Sequence, residues 1–203
     1  MMKLLVATGN PGKLKEIRSL LDASPLEIIG LDQLTDPPEV IEDGSTFADN
    51  ARKKAQAMAQ FSGYLTLADD SGLVVAALAG APGVHSARYA GKQGDDAANN
   101  GKLLAVMASV EDEKRQAAFH CVMALAWPDG RCETYAGQVS GLIMRAERGT
   151  GGFGYDPLFM VPEYGKTMAE LPLEIKNRIS HRGMALRKVI PVLIELAGEL
   201  DES

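Results

Sequence analysis

Residues 4–17, LLVATGNPGKLKEI, read as a strand, a tight turn and a helix in direct succession, and that order points to an α/β fold. Leu4 to Ala7 is an apolar run of the length of a buried strand. Asn10 can cap a helix, Pro11 suits its first position, and Leu14, Ile17 and Leu21 then fall on one helical face. The turn also leaves unpaired N–H groups and a partial positive charge at a helix start, where anions settle. It is not a P-loop, which has four residues between its glycines and a Ser or Thr after the Lys. Here only two residues separate Gly9 from Gly12, and Leu14 follows Lys13.

Working outward, residues 26–31 read as a second strand and residues 32–44 as a loop rich in Asp, Pro and Glu. Ser45 or Thr46 starts a helix that runs through Asn50, Lys54 and Met58 and stops near Gly63. A strand at 64–68 ends in Ala68-Asp69-Asp70-Ser71-Gly72, and a further apolar run covers 73–78. A Gly-rich loop at 79–94 precedes a helix at about 95–109. Residues 117–127 and 131–139 make a hairpin across Asp129-Gly130. Ser180 caps a last helix carrying Val189, Ile190, Leu193, Ile194 and Ala197, kinked or broken at Pro191. The expected architecture is α/β, one domain over residues 1–203, around a central, mixed and twisted sheet.

The net charge of −6 argues against a broad face for a nucleic-acid polymer, which needs a basic stripe. The apolar run near the start is too short for a signal peptide or a membrane span, so no membrane partner and a cytoplasmic location are expected. Cys121 and Cys132 flank the hairpin turn out of register, so no disulfide is expected between them.

Four clusters can carry chemistry. In the first, Lys13 and Lys15 add charge to the helix start and the Asn10 amide can donate; a capped helix with surface lysines has the same pattern. The second is Asp69-Asp70-Ser71-Gly72. Adjacent carboxylates repel unless a cation or water joins them, and Mg²⁺ takes one or two carboxylates plus water and phosphate oxygens. Glu42 is a candidate distal ligand, although Asp, Ser and Gly are also common in solvated turns. The third is GTGGFGYDP, residues 149–157, whose glycines allow close backbone approach to a ligand. Phe153 could stack on a base there, or its ring could tuck into the core. The fourth is KNRISHRG, residues 176–183, which puts His181 and Arg182 in a first helical turn. Cations are disfavoured there unless they face acceptor groups. His120 lies in an apolar strand and reads as packing, and His85 sits in a loop with Arg88 and Tyr89.

Taken in order, TGNPGK, STFADNARKKA, ADDSGL, GAPGVHSARYAG, GTGGFGYDPLF and SHRGMAL resemble the inosine/xanthosine triphosphate pyrophosphatases, house-cleaning enzymes for non-standard purine nucleotides. The resemblance runs from residue 3 to about 195. It implies an elongated, two-lobed α/β fold with an active-site cleft between the lobes, a homodimer, a need for Mg²⁺, and hydrolysis of purine nucleoside triphosphates (ITP, dITP, XTP) to monophosphate and pyrophosphate. Carried over by motif, Thr8, Gly9, Asn10, Pro11, Gly12 and Lys13 would hold phosphate, and Asn50 and Lys54 would line the same channel. Glu42 and Asp70 would hold the metal, with Asp70 as proton acceptor. Ser71, Phe153, Gly154, Tyr155, Asp156, Lys176, His181 and Arg182 would contact the nucleotide. If the strand alternates at Asp69-Asp70, only one carboxylate can face the metal. Two rival readings remain: a pyrophosphatase for modified pyrimidine triphosphates, and a nucleotide sensor without catalysis.

Overall fold

The structure, a computed structural model, describes residues 2–22 and 24–201. Its elements run β1 (Met2–Val6), α1 (Pro11–Leu21), β2 (Leu26–Gly30), α2 (Phe47–Ser62), β3 (Leu65–Val75) and α3 (Asp96–Val106). Then come β4 (Gln116–Ala126), β5 (Cys132–Ile143), β6 (Phe159–Val161), β7 (Lys166–Thr167), α4 (Leu173–Ile179) and α5 (His181–Asp201). The strands hydrogen-bond in the order β2-β1-β3-β4-β5-β6-β7. β1 is parallel to β2 and β3, whereas β6 is antiparallel to β5 and β7, so the sheet is mixed, as the sequence implies.

The chain divides into two compact units. The first takes the residues up to Asp70, Cys121–Gly137 and those from Arg182 onward; the second takes Ser71–His120 and Gln138–His181. In the first unit β1 is buried on both faces. Leu4 and Val6 belong to one core with Ile17 and Leu21 of α1 and Ala185, Leu186, Val189 and Leu193 of α5. Leu5 and Ala7 belong to another with Ala51, Ala55, Met58 and Ala59 of α2. A strand period of two thus feeds two helical layers from one short stretch. The second unit has its own core, built on Leu73, Leu103, Phe119, Tyr155, Leu158 and Phe159.

The local signals in the sequence are used as expected. Asn10 caps α1, its Oδ1 accepting from the N–H groups of Gly12 at 2.9 Å and Lys13 at 3.1 Å. Thr46 caps α2 by accepting from the Asp49 N–H at 3.1 Å, and Gly63 ends that helix at φ +71°. Cys121 and Cys132 are free.

Four expectations change. The strand does not stop at Ala68: β3 runs on through Asp69, Asp70, Ser71 and Gly72 to Val75. An acidic pair reads as a turn only while its charges lack partners, and both find them here. α5 is not broken at Pro191. Val189, Leu193 and Ala197 are buried on either side of the proline, and that packing holds the helix through a lost backbone hydrogen bond. The Gly-rich loop contains a 3₁₀ turn at Gly83–Arg88, and α3 ends earlier than expected, at Val106. Among the described residues no helix is long and apolar enough to cross a membrane.

Candidate active site

The first unit gathers most of the charged candidates. Asp69 and Asp70 are successive residues of β3, and both are buried. Asp69 Oδ2 lies 3.0 Å from Lys13 Nζ and 3.6 Å from Arg182 Nε. Burial pushes the Asp69 carboxyl up, but Lys13, Arg182 and Lys54 outweigh it and hold the group below the usual carboxylate range. Arg182 is itself buried and donates from Nη1 to Glu16 of α1. Burial favours the neutral guanidine, yet Asp69 and Glu16 more than offset this and keep Arg182 charged. Lys13, half-buried, thus joins the buried Asp69, Arg182 and Glu16 in one chain of alternating charge.

Asp70 has different company. Asn50 donates from Nδ2 to its Oδ2 at 3.0 Å. Burial raises the Asp70 carboxyl above its ordinary value; the Asn50 hydrogen bond and the charges of Lys13 and Lys54 pull it down, and the charge of Glu42 raises it again. The net result is a carboxylate more basic than usual, beside two lysines. Lys54 Nζ sits 3.0 Å from Glu42 Oε2. The charge of Glu42 acting on Asp70 marks a place where a cation would relieve repulsion. Among the described residues no group of three or more His, Cys, Asp or Glu could hold a metal. A hard oxygen pair, Glu42 and Asp70, without a full protein cage fits Mg²⁺, which fills its remaining positions with water and substrate phosphates.

At the turn after β1, Thr8 is buried and its Oγ1 accepts from the Asn10 N–H at 3.2 Å. Gly9, Asn10 and Pro11 are exposed, and Gly12 is partly so. The cap occupies Asn10 Oδ1, leaving the side-chain NH₂ as the part of Asn10 able to donate to an anion.

In the second unit the irregular segment 149–157 is ordered by its own side chains. Asp156 Oδ2 accepts from Lys176 Nζ at 2.6 Å and from the Phe153 N–H at 3.2 Å. Lys176 Nζ lies 5.3 Å from the centre of the half-buried Phe153 ring. A Cβ at Gly152, where φ is +78°, would overlap Asp156 Oδ2, so this turn requires glycine. Tyr155 is a core residue whose hydroxyl donates to Ser86 O at 2.8 Å, which leaves its backbone as the part able to meet a ligand. His181 is buried and stacks on Phe119, with centroids 4.8 Å apart and planes at 15°. His120 is half-buried and burial lowers its pKa, in keeping with a packing role. Ser71 follows Asp70 directly on β3 and is half-buried.

Glu16 was not among the sequence candidates. Its one signal was placement: it lies three residues after Lys13, on the same face of α1.

The Ham1 family model matches residues 4–192. The chain belongs to the Ham1 family. Two Ham1-like relatives named dITP/XTP pyrophosphatase are close in sequence. The one from Geobacter sulfurreducens is 56% identical over 186 residues, covering 92% of this chain and 94% of its own. The one from Desulforamulus reducens is 54% identical over 195 residues, covering 96% and 97%. The structure of a HAM1 protein from Coxiella burnetii superposes with a TM-score of 0.87 at 43% identity, covering 96% of this chain and all of that one.

Proposed function

We propose that this chain is a nucleoside triphosphate pyrophosphohydrolase that converts ITP, dITP and XTP to the monophosphate and pyrophosphate. The observation that carries the reading is Asp70: a buried carboxylate of raised basicity, held by Asn50 and flanked by the charges of Lys13 and Lys54. A binding protein for the same nucleotides would gain nothing from a poised base. The near full-length identity to proteins named dITP/XTP pyrophosphatase supports the same reaction.

In the proposed mechanism, Asp70 accepts a proton from a water whose oxygen attacks the α-phosphorus. The bond from that phosphorus to the bridging oxygen breaks, and pyrophosphate leaves. Lys13 and Lys54 neutralise the leaving group, and the backbone and side chains of Thr8, Gly9, Asn10, Pro11 and Gly12 hold the phosphate chain. Asn50 orients Asp70. Glu42 and Asp70 would hold Mg²⁺, which when bound screens polyphosphate charge.

Phe153 offers a ring face to the base, and Ser71, Gly154, Tyr155 and Asp156 shape its surroundings. Lys176, His181 and Arg182 supply donors for a 6-oxo group, which hypoxanthine and xanthine carry and adenine lacks. The whole of residues 1–203 is proposed to act as one catalytic domain, in a cytoplasmic homodimer. The test is pyrophosphate release from ITP, dITP, XTP, GTP and ATP with Mg²⁺. Preference for the first three supports the reading. Binding of ITP without pyrophosphate release would instead make the protein a sensor, and preference for modified pyrimidine triphosphates would replace the substrate class.

A further inference from the structure

Gly154 is gripped from both sides of its backbone by α3. Its N–H donates to Asp96 Oδ2 at 2.7 Å, and its C=O accepts from Asn100 Nδ2 at 3.1 Å. The two side chains lie one helical turn apart, so they present a fixed pair of groups to a single residue. Asp96 sits in the first turn of α3, where a carboxylate is favoured, and Asp95 caps that turn by accepting from the Ala98 N–H at 3.1 Å. The helix is thus anchored independently of the loop it holds.

Asn100 carries a second clue. Its Oδ1 is buried with no hydrogen-bond partner among the described residues. A buried acceptor left unsatisfied costs stability, so Asn100 is a poor choice if stability is all the position provides. What it does provide is a donor that meets Gly154 O. The neighbouring Asn99 is fully used in a different task, accepting from Ala90 N–H at 2.7 Å and donating to Ala87 O at 3.3 Å.

We infer that Asp96 and Asn100 are positioning residues: a two-point clamp on Gly154 that fixes the orientation of the Phe153 ring for the nucleotide base. The inference rests on the proposed reading of Phe153 as the base platform. Gly154 has φ +61°, and a Cβ built there would meet no atom within 4 Å, so the hydrogen bonds from Asp96 and Asn100 are what hold its backbone against α3. Asp156 fixes the other end of the same short segment through the Phe153 N–H. With both ends held, the ring meets the base without first being ordered, and the binding energy of stacking is not spent on ordering the loop.

The experiment combines Asp96→Ala, Asp96→Asn and Asn100→Leu, each alone and with Phe153→Ala. The readouts are kcat and KM for ITP, inhibition by inorganic tripolyphosphate, which has no base, and hydrogen exchange at the Gly154 amide. Asp96→Ala and Asn100→Leu are expected to raise KM for ITP about tenfold with little change in kcat. Tripolyphosphate inhibition should hold, and the KM effect should vanish on the Phe153→Ala background. Asp96→Asn retains an acceptor and should restore most of the parent KM. Equal weakening of ITP and tripolyphosphate, or effects that add to Phe153→Ala, would overturn the inference. If Phe153→Ala alone leaves KM unchanged, the base-platform reading fails, and the clamp is decided by exchange: fast Gly154 exchange in Asp96→Ala upholds it, and unchanged exchange overturns it.

Discussion

The Asn50 amide has one orientation that serves Asp70. Its Oδ1 accepts from the Gly44 N–H at 2.7 Å, so its Nδ2 must be the end that meets Asp70 Oδ2. A Cβ at Gly44 would crowd that oxygen at 2.6 Å, so the loop before α2 can come close enough only as glycine. The amide thereby donates to the ionised form of Asp70 and steadies it without neutralising it.

Asp70→Asn should keep the fold, because Asn50 can still donate to the new amide oxygen. Loss of a general base costs about 10²–10⁴-fold in kcat. Thermal melting near that of the parent, with ITP turnover reduced to this extent in saturating Mg²⁺, is the expected pair of results. Turnover near the parent rate would remove Asp70 from both of its proposed roles.

Lys13→Ala should weaken ITP far more than inosine, since the lysine is proposed to meet phosphate. Calorimetric affinities for inosine, IMP and ITP check this. Equal losses across the three would make Lys13 a structural partner of Asp69 and nothing more.

Acid should destabilise the parent through Asp69. Its carboxyl is held below the value of about 3.9 expected in the unfolded chain, so the unfolded state takes up the proton first. The stability from ionised Asp69 is present above that value and is lost as pH falls through the folded-state value. Asp69→Asn should therefore be less stable at pH 7, by about 3–5 kcal/mol for a broken buried pair, but should lose less on acidification. Urea denaturation at neutral pH and in steps below about pH 4 measures both. Parallel acid curves for parent and variant would refute the assignment.

Gly152→Ala should cost stability and ITP affinity together. The backbone there has φ +78°, and the new methyl would push against Asp156 and Lys176. Left-handed backbone alone costs a non-glycine residue about 1–2 kcal/mol. A drop in melting temperature with unchanged KM for ITP would separate the turn from binding.

Much of this was legible in the sequence because the signals were local. Asn10, Pro11, Thr46 and Gly63 mark helix ends by their own chemistry, and β1 and α1 show their periods within a few residues. The continuation of β3 was not legible, since Asp69-Asp70-Ser71-Gly72 has the composition of a turn. What keeps it extended comes from Lys13, Asn50 and Arg182, all distant in the chain. The break allowed for at Pro191 does not occur for the same reason, as burial of its helix outweighs a local penalty. β6, β7 and α4 are too short to show a period. The roles of Glu16, Asp96 and Asn100 exist only as contacts between segments, and Tyr155 gave no sign that its ring would turn inward while Phe153 stayed half-exposed.

Changes of length in β3 carry a different penalty from substitutions. Neighbouring side chains on a strand point to opposite faces, so a one-residue deletion before Asp69 would move Asp70 into the place beside Lys13 and Arg182 and put Ser71 beside Asn50. The buried charges would stay balanced while the proton acceptor disappeared. A one-residue insertion would do the reverse, placing Asp69 beside Asn50 and leaving Ala68 against a buried guanidinium. Deletion would remove the base and insertion would displace it, and a slip in either direction would also turn Leu73 and Val75 away from the core they fill. The two adjacent aspartates thus act as a ruler for the strand, and tolerated indels are expected to fall in the loop 34–46 and not within β3.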